Sequence, residues 1–344
     1  MARENRSEAQ RLREGLVDVH SHYLPKALVR ALERRAELPR ISEGTGDRRL
    51  IEYGEGNIHP MLPAMGDLEI QLHDMDAQGI SVALLSVNVP GIDWFPVSDG
   101  PTIARDVNDE LMDVVAAHAD RLVPLAALPL QAPEAAAAEL ERAVGRGAAG
   151  AMIYSNAAGH PLDAPEFEPV FEVAARLGVP ILIHPTYPLM AKAVDVYALI
   201  PTLGFLVDTT TAALRLVLGG LYERHPEFKL ALCHSGSLIP QLVGRIDYEA
   251  ERAPNGRGVL SVLPSEHLRL VYTDTVCVWA PALASTLAFF GPERVMFGSD
   301  YPFWEPERTF DVIAEMSLGD AVEGQVRSSN ARRLFGLETA AGVA

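Results

Sequence analysis

Eight short apolar, β-branched runs recur along this chain with helix-like segments between them. That alternation restricts the fold more than any other feature of the sequence. The runs fall at about Leu16–Ser21, Ser81–Val87, Leu122–Leu128, Gly150–Tyr154, Val179–His184, Lys229–His234, Leu268–Tyr272 and Arg294–Ser299. Most are near-continuous rather than alternating, as strands covered on both faces of a parallel sheet are. Helices are expected at about Pro101–Ala119, Ala132–Arg146, Pro165–Leu177, Leu238–Arg252 and Ala280–Phe290. Pro133 and Pro165 suit first-turn positions, and Gly147 and Gly178 suit helix stops. Eight strand–helix units make an α/β chain of the (β/α)8 TIM-barrel type. A doubly wound open sheet is the runner-up, but no Gly-rich dinucleotide turn follows the first run, where His20-Ser21-His22-Tyr23-Leu24-Pro25 stands.

All 344 residues are read as one domain, a length α/β barrels commonly use, with long loop insertions near 36–66 and 188–222. The formal charge of −17 argues against nucleic acid and anionic membrane as partners. It says little about a small anionic substrate, because one or two local arginines can outweigh the global field. Met1–Glu14 is charged and lacks an apolar core, so neither a signal peptide nor a membrane anchor is expected there. No stretch reads as long and apolar enough to span a bilayer. Cys233 and Cys277 form no disulfide framework and read as small buried core residues. A reduced, cytoplasmic location is the expectation. The tail after Leu337 is expected to fray.

The chemistry lies in the histidines. Residues two apart in a strand point to the same side, so His20 and His22 can share a metal ion, and imidazole suits zinc and its neighbours. In an α/β barrel the reacting groups sit at the C-terminal ends of the strands. His20 and His22 end the first run, His184 the fifth and His234 the sixth, and Asp300 follows the eighth. One divalent ion on His20, His22, His184 and Asp300 keeps an open position, with zinc the first choice and manganese the second. His234 is then a general acid or base rather than a fifth ligand. The fourth run ends in Tyr154-Ser155-Asn156, and none of the three lysines stands at a strand end, so no bridging lysine supports a second ion. Asp274, at the end of the seventh run, is placed to orient His234 or a ligand. Asp18 reads as structural. Tyr154, Asn156, Tyr187, Trp94, Trp304 and His59 are candidates for a substrate wall. His73, His118, His160, His225 and His267 read as solvated.

Four strings carry a resemblance that spans nearly the whole chain: Val17-Asp18-Val19-His20-Ser21-His22, Asp74-Met75-Asp76-Ala77-Gln78-Gly79-Ile80, Phe297-Gly298-Ser299-Asp300-Tyr301-Pro302-Phe303 and Asn330-Ala331-Arg332-Arg333-Leu334-Phe335. Together they resemble the amidohydrolase superfamily. The specific branch is that of α-amino-β-carboxymuconate-ε-semialdehyde decarboxylase and related metal-dependent decarboxylases. The third string is the most specific. The resemblance implies one divalent metal, usually zinc, on the positions of His20, His22, His184 and Asp300, and an acid/base role at His234. Gly244-Arg245-Ile246-Asp247 resembles a stretch whose arginine reaches a neighbouring subunit's site and holds a substrate carboxylate. The resemblance thus implies that role for Arg245, and a homodimer. Three departures bear on the substrate. The second carboxylate-holding arginine is replaced near His59, the tryptophan after the strand-five His-Pro is absent in His184-Pro185-Thr186-Tyr187, and Ser235 stands where a glycine is usual. These weaken the muconate semialdehyde as substrate and leave the metal set intact.

The expected activity is nonoxidative decarboxylation of a small aromatic or unsaturated carboxylic acid, with His234 and Asp300 moving the proton that replaces CO2. Hydrolysis of an amide, lactone or carbon–carbon bond by metal-activated water, or hydration of a double bond, uses the same ligands and stays open on sequence alone. A barrel that had lost its activity would lack one of the five residues, and none is missing.

Overall fold

The computed structural model describes residues 15–45, 48–54 and 57–337, so the expectations for Met1–Glu14 and for the tail after Leu337 lie outside the described residues. Eight parallel strands follow the apolar runs: β1 (Leu16–Tyr23), β2 (Ile80–Val87), β3 (Leu122–Pro124, resuming at Ala126–Ala127), β4 (Ala151–Tyr154), β5 (Ile181–His184), β6 (Leu230–Leu232), β7 (Tyr272–Asp274) and β8 (Val295–Met296). Each pairs with the next in sequence. The break in β3 at Leu125 does not open the sheet, because the Leu125 amide donates to Leu85 O at 2.9 Å. The first and last strands close the ring: Val19 N–H donates to Phe297 O at 3.0 Å, Asp300 N–H to His20 O at 2.8 Å and His22 N–H to Tyr301 O at 2.9 Å.

Period-two alternation then divides the core. Val17, Val19, Leu84, Leu125, Met152, Leu182, Ala231 and Met296 point inward and pack with Leu334 and Phe335 of the last helix, Asn330–Phe335. Leu16, Leu85, Ile153, Ile181, Ile183, Leu230, Val295 and Phe297 point outward into the layer of helices. The expected helices form at Gly100–Ala116, Pro133–Gly145, Glu168–Leu177, Ile239–Arg252 and Ala280–Phe290. The seventh run is displaced from its expected place. Pro264–Leu268 is helical and the strand begins at Tyr272, because a short apolar run does not by itself distinguish a buried helix end from a strand.

The two insertions have structure of their own. Residues 36–66 hold an antiparallel sheet of Arg40–Glu43, Arg49–Gly54 and Asn57–Pro60. Gly54 has to be a glycine, since a Cβ there would lie 2.1 Å from the Tyr187 ring. In residues 188–222 the helix Ile200–Leu218 corrects the sequence reading: its length and mean hydropathy of 1.2 do meet those of a membrane span. Its apolar side is occupied, however, with Ala212, Ala213, Leu216 and Val217 buried in the helical layer.

Asp93, on the turn Ile92–Trp94 in the loop after β2, is buried. Its Oδ2 accepts from the Ala158 amide at 2.9 Å and its Oδ1 has no partner. Burial, opposed only by the backbone donors, pushes its carboxyl up to about 7. The folded state therefore holds a proton that the unfolded chain releases near pH 4, and stability falls as pH rises from about 4 to 7. Asp93→Asn should remove that component and raise stability at pH 8 by about 2–4 kcal/mol, while changing little at pH 4. Urea melts at the two pH values measure this, and equal gains at both would refute the buried-charge account.

Candidate metal centre and its cavity

The strand ends bring His20, His22, His184, His234 and Asp300 together, and all but the slightly more open His234 are buried. Asp300 Oδ1 lies 3.1 Å from His20 Nε2, 3.1 Å from His22 Nε2 and 4.0 Å from His184 Nε2. Asp300 Oδ2 lies 3.3 Å from His234 Nε2. One set with a ligand atom from each residue within 4.8 Å of all the others is His20, His184, His234 and Asp300, in which His234 stands in the place expected of His22. His234 thus stands as near the centre as the expected ligands do.

The outer ring nitrogens fix the tautomers. His20 Nδ1 is 2.7 Å from Asp274 Oδ2, and His184 Nδ1 is 2.7 Å from Pro185 O; both oxygens only accept. His22 Nδ1 is 3.0 Å from Ser86 Oγ, whose own proton goes to Ser21 O at 3.0 Å. Each Nδ1 therefore carries the proton, and three Nε2 lone pairs face one carboxylate oxygen. His20 Nε2 is buried and makes no hydrogen bond. Lone pairs do not face lone pairs stably in a dry site, so positive charge belongs between them. Tetrahedral ligands about 2.0–2.2 Å from an ion lie roughly 3.3–3.6 Å apart, and the observed 3.1 and 4.0 Å separations straddle that range. The residues fit a divalent ion.

The titration directions agree. Burial, then the charges of His22 and His20, hold His184 well below the usual imidazole range, and burial likewise lowers His22. Burial opposes the ionised form of Asp300, but His20, His22 and His234 overcome it and keep the carboxyl well below its usual range. On His20 burial also opposes charge, and Cys233, Asp300 and Asp274 outweigh it.

Asp274 belongs to β7 itself and organises two strand ends. Besides His20, its Oδ2 accepts from the His234 amide at 3.1 Å, and its Oδ1 accepts from the Ser235 and Val276 amides at 2.9 Å each. His234 and Ser235, whose amides meet the carboxylate, hold left-handed φ values of 60° and 54°, and Ser237, at 56°, turns its amide back to His234 O at 2.8 Å. Asp18 joins β1 to the Asp300 loop: Oδ1 accepts from the His20 and Ser299 amides at 3.0 Å each, and Oδ2 from the Ser299 hydroxyl at 2.5 Å.

A cavity of about 600 Å³ opens above His184, His234 and Asp300. His59 and Trp304 line it as expected. The other wall candidates do not. Tyr154 is buried, with its hydroxyl donating to Val87 O at 2.9 Å, and Trp94, half-buried on the turn Ile92–Trp94, is not among the lining residues. Asn156 is held by Asp208 Oδ2 at 2.8 Å and donates to Tyr187 O at 3.0 Å, which keeps Tyr187 against Gly54. Arg245 is exposed on the helix Ile239–Arg252 and does not reach the cavity of its own chain, although Leu238 and Gln241 near the start of that helix do. Cys277 is a wall residue rather than a core one. His225 and His267, expected to be solvated, pair with Glu168 at 2.8 Å and Glu223 at 3.4 Å. Sequence reasoning missed Phe205, Leu206, Val278, Trp279 and Phe303 on the wall. The signal available for Phe205 and Leu206 was the length of the 188–222 insertion.

Asp274→Ala would leave a buried imidazole N–H and three amides without their acceptor. It should destabilise the fold by about 3–5 kcal/mol in a urea melt. A loss below about 1 kcal/mol would show that the strand ends do not depend on this carboxylate.

A gamma-resorcylate decarboxylase of Rhizobium sp. strain MTP-10005 is 30% identical over 328 residues, covering 90% of this chain and 98% of that one. A 2-amino-3-carboxymuconate-6-semialdehyde decarboxylase of Dictyostelium discoideum is 27% identical over 279 residues, covering 79% and 77%. The crystal structure of a dihydroxybenzoic acid decarboxylase from Polaromonas sp. JS666, with bound manganese and the inhibitor 2-nitroresorcinol, superposes with a TM-score of 0.80 at 26% identity, covering 95% and 98%. The sequence pattern of the amidohydrolase family matches residues 17–337, and the chain belongs to that family.

Proposed function

We propose that the protein is a metal-dependent, nonoxidative decarboxylase of a small aromatic carboxylic acid. The observation that carries this reading is the 3.3 Å pair of His234 Nε2 and Asp300 Oδ2 at the foot of a largely apolar cavity, beside three Nε2 atoms free to bind a cation. The decarboxylase names of the relatives support it.

His20, His22, His184 and Asp300 hold the ion in this reading. Zinc is our first choice because imidazole dominates the donor set. Manganese is the ion to test against it, since the Polaromonas relative holds manganese. A divalent cation supplies a fixed positive charge that anchors a carboxylate or phenolate oxygen. The carbon–carbon bond to the carboxyl group breaks with its electron pair left on the ring carbon. That carbon takes a proton, CO2 leaves, and no water is consumed. His234 Nε2 delivers the proton and Asp300 Oδ2 holds it in line, within general acid–base reach. Phe303, Trp304 and Leu206 keep the site poor in water, which favours the neutral CO2 product over the carboxylate.

Homodimerisation, a cytoplasmic location and action as one catalytic domain belong to the same reading. The exposure of Arg245 on a helix that also lines the cavity supports a contribution to a neighbouring subunit.

Zinc- and manganese-loaded enzyme should release CO2 from hydroxybenzoates without consuming water; hydrolysis or hydration releases none. His184→Ala and Asp300→Ala should each lose both the bound metal, by elemental analysis, and turnover. His234→Ala should retain the metal and lose about 10²–10⁴-fold in kcat. Wild-type turnover by His234→Ala would remove it from the reaction. For the dimer, Arg245→Ala mixed with Asp300→Ala should regain part of the activity, because one shared site then has both residues. Mixtures as dead as their parts would reject a site shared between subunits.

A further inference from the structure

Among the described residues, the wall of the cavity above the His/Asp cluster carries no lysine or arginine. Its outer half is apolar instead: Phe205 and Leu206 from the 188–222 insertion face Val278, Trp279 and Ala282 from the loop and helix after β7. The positive charge this chain offers its own cavity is therefore concentrated at one point, the cluster on the floor, and an Arg245 contributed across a dimer, as proposed above, is the one further cation available to the substrate's carboxylate. Nothing on the chain's own wall balances a second carboxylate, and burying an unpaired one is costly.

Two further observations point to what fills the outer half. The first is size. A dihydroxybenzoate has about eleven heavy atoms, well below the drug-sized ligands that fill pockets of about 300–1,000 Å³. The cavity holds about 600 Å³, so a large part of it lies beyond the ring of such a substrate. The second is exposure. Trp279 is 67% exposed and Val278 49%, large apolar side chains that line the cavity while facing water at its mouth. An apolar group lying along them removes that surface from water. Ser237 Oγ, buried on the inner wall without a hydrogen-bond partner, gives a ring hydroxyl a place to bond.

We propose that the substrate is a hydroxybenzoate with a single carboxylate at the His/Asp cluster and, on its ring, an alkyl substituent of several carbons that lies along Phe205, Leu206 and Trp279. This rests on the decarboxylase reading and names the substrate class within it. Each methylene buried there is worth roughly fourfold in affinity.

The test compares three acids on the metal-loaded wild-type enzyme: 2,4-dihydroxybenzoate, its 6-pentyl derivative and the dicarboxylate 4-hydroxyisophthalate. Calorimetric titration with resorcinol and 5-pentylresorcinol, the decarboxylated phenols, reads the cavity without turnover. The pentyl acid should exceed the unsubstituted one in kcat/KM by about tenfold or more, with the dicarboxylate weakest, and 5-pentylresorcinol should bind at least about tenfold tighter than resorcinol. Leu206→Arg should reverse the order, favouring the dicarboxylate over the pentyl acid. Equal or poorer use of the pentyl acid, or preference of the wild type for the dicarboxylate, would overturn the proposal. If none of the acids releases CO2, the decarboxylase reading fails, and the two phenols still decide the cavity: equal binding ends the proposal and tighter binding of the pentyl phenol retains its apolar subsite.

Discussion

Three imidazoles each commit the Nδ1 proton to a fixed acceptor, and what remains is three lone pairs turned toward one oxygen of Asp300. Side chains in water would rotate out of such an arrangement. Here they cannot, because the acceptors lie on different elements: Asp274 on β7, Ser86 on β2 and the Pro185 carbonyl just after β5. The barrel therefore builds a cage of electron pairs that needs positive charge at its centre. The requirement comes from hydrogen bonds outside the cage rather than from the ligands alone, as outer partners commonly orient metal-binding histidines.

Holding Asp300 opposite β1 falls to the seam where the sheet closes. The Asp300 amide bonds to His20 O, so the carboxylate and the first histidine are fixed by the same backbone contact. Asp18 doubles that seam through Ser299. Gly298 makes the approach sterically feasible, since a Cβ there would lie 2.9 Å from Asp274 Cβ and 3.0 Å from His20 Cβ. Asp300 itself takes a left-handed φ of 57°, which an aspartate tolerates better than most residues. The Gly298-Ser299-Asp300 string is thus specific for three separate physical reasons: close approach, a hydroxyl donor and a backbone turn.

These facts explain which parts of the molecule were legible in the sequence. The five residues of the centre could be found because each ends or follows an apolar run, and a parallel barrel places such ends on one rim. Asp274 was visible for the same reason, although its strand starts later than the apolar pattern suggests. The wall was not legible, because its composition depends on long loops folding over the rim. Tyr187 and Asn156 have the right chemistry for a substrate wall and the right place in the chain. Yet Asp208, buried on the helix Phe205–Leu218, accepts from Ser155 Oγ at 2.5 Å, Asn156 Nδ2 at 2.8 Å and the Leu189 amide at 2.9 Å. That carboxylate draws the end of β4 and the start of the insertion into its own network and presents Phe205 and Leu206 to the cavity instead. Only a contact between positions more than fifty residues apart decides the matter, and local pattern carries no trace of it.

The charge of the whole chain and the charge of the site act over different distances. A protein with a formal charge of −17 repels anions at long range, and a carboxylate substrate is an anion. At physiological ionic strength, fields from exposed carboxylates fade over about 8 Å. Inside the cavity the walls are mostly apolar and water is scarce, so screening is weak and a single cation acts with little competition. The acidic surface therefore sets no barrier that the centre cannot overcome, provided the substrate brings its one negative charge to the floor. A second negative charge would stay in the apolar half, where the same weak screening turns from an advantage into a penalty.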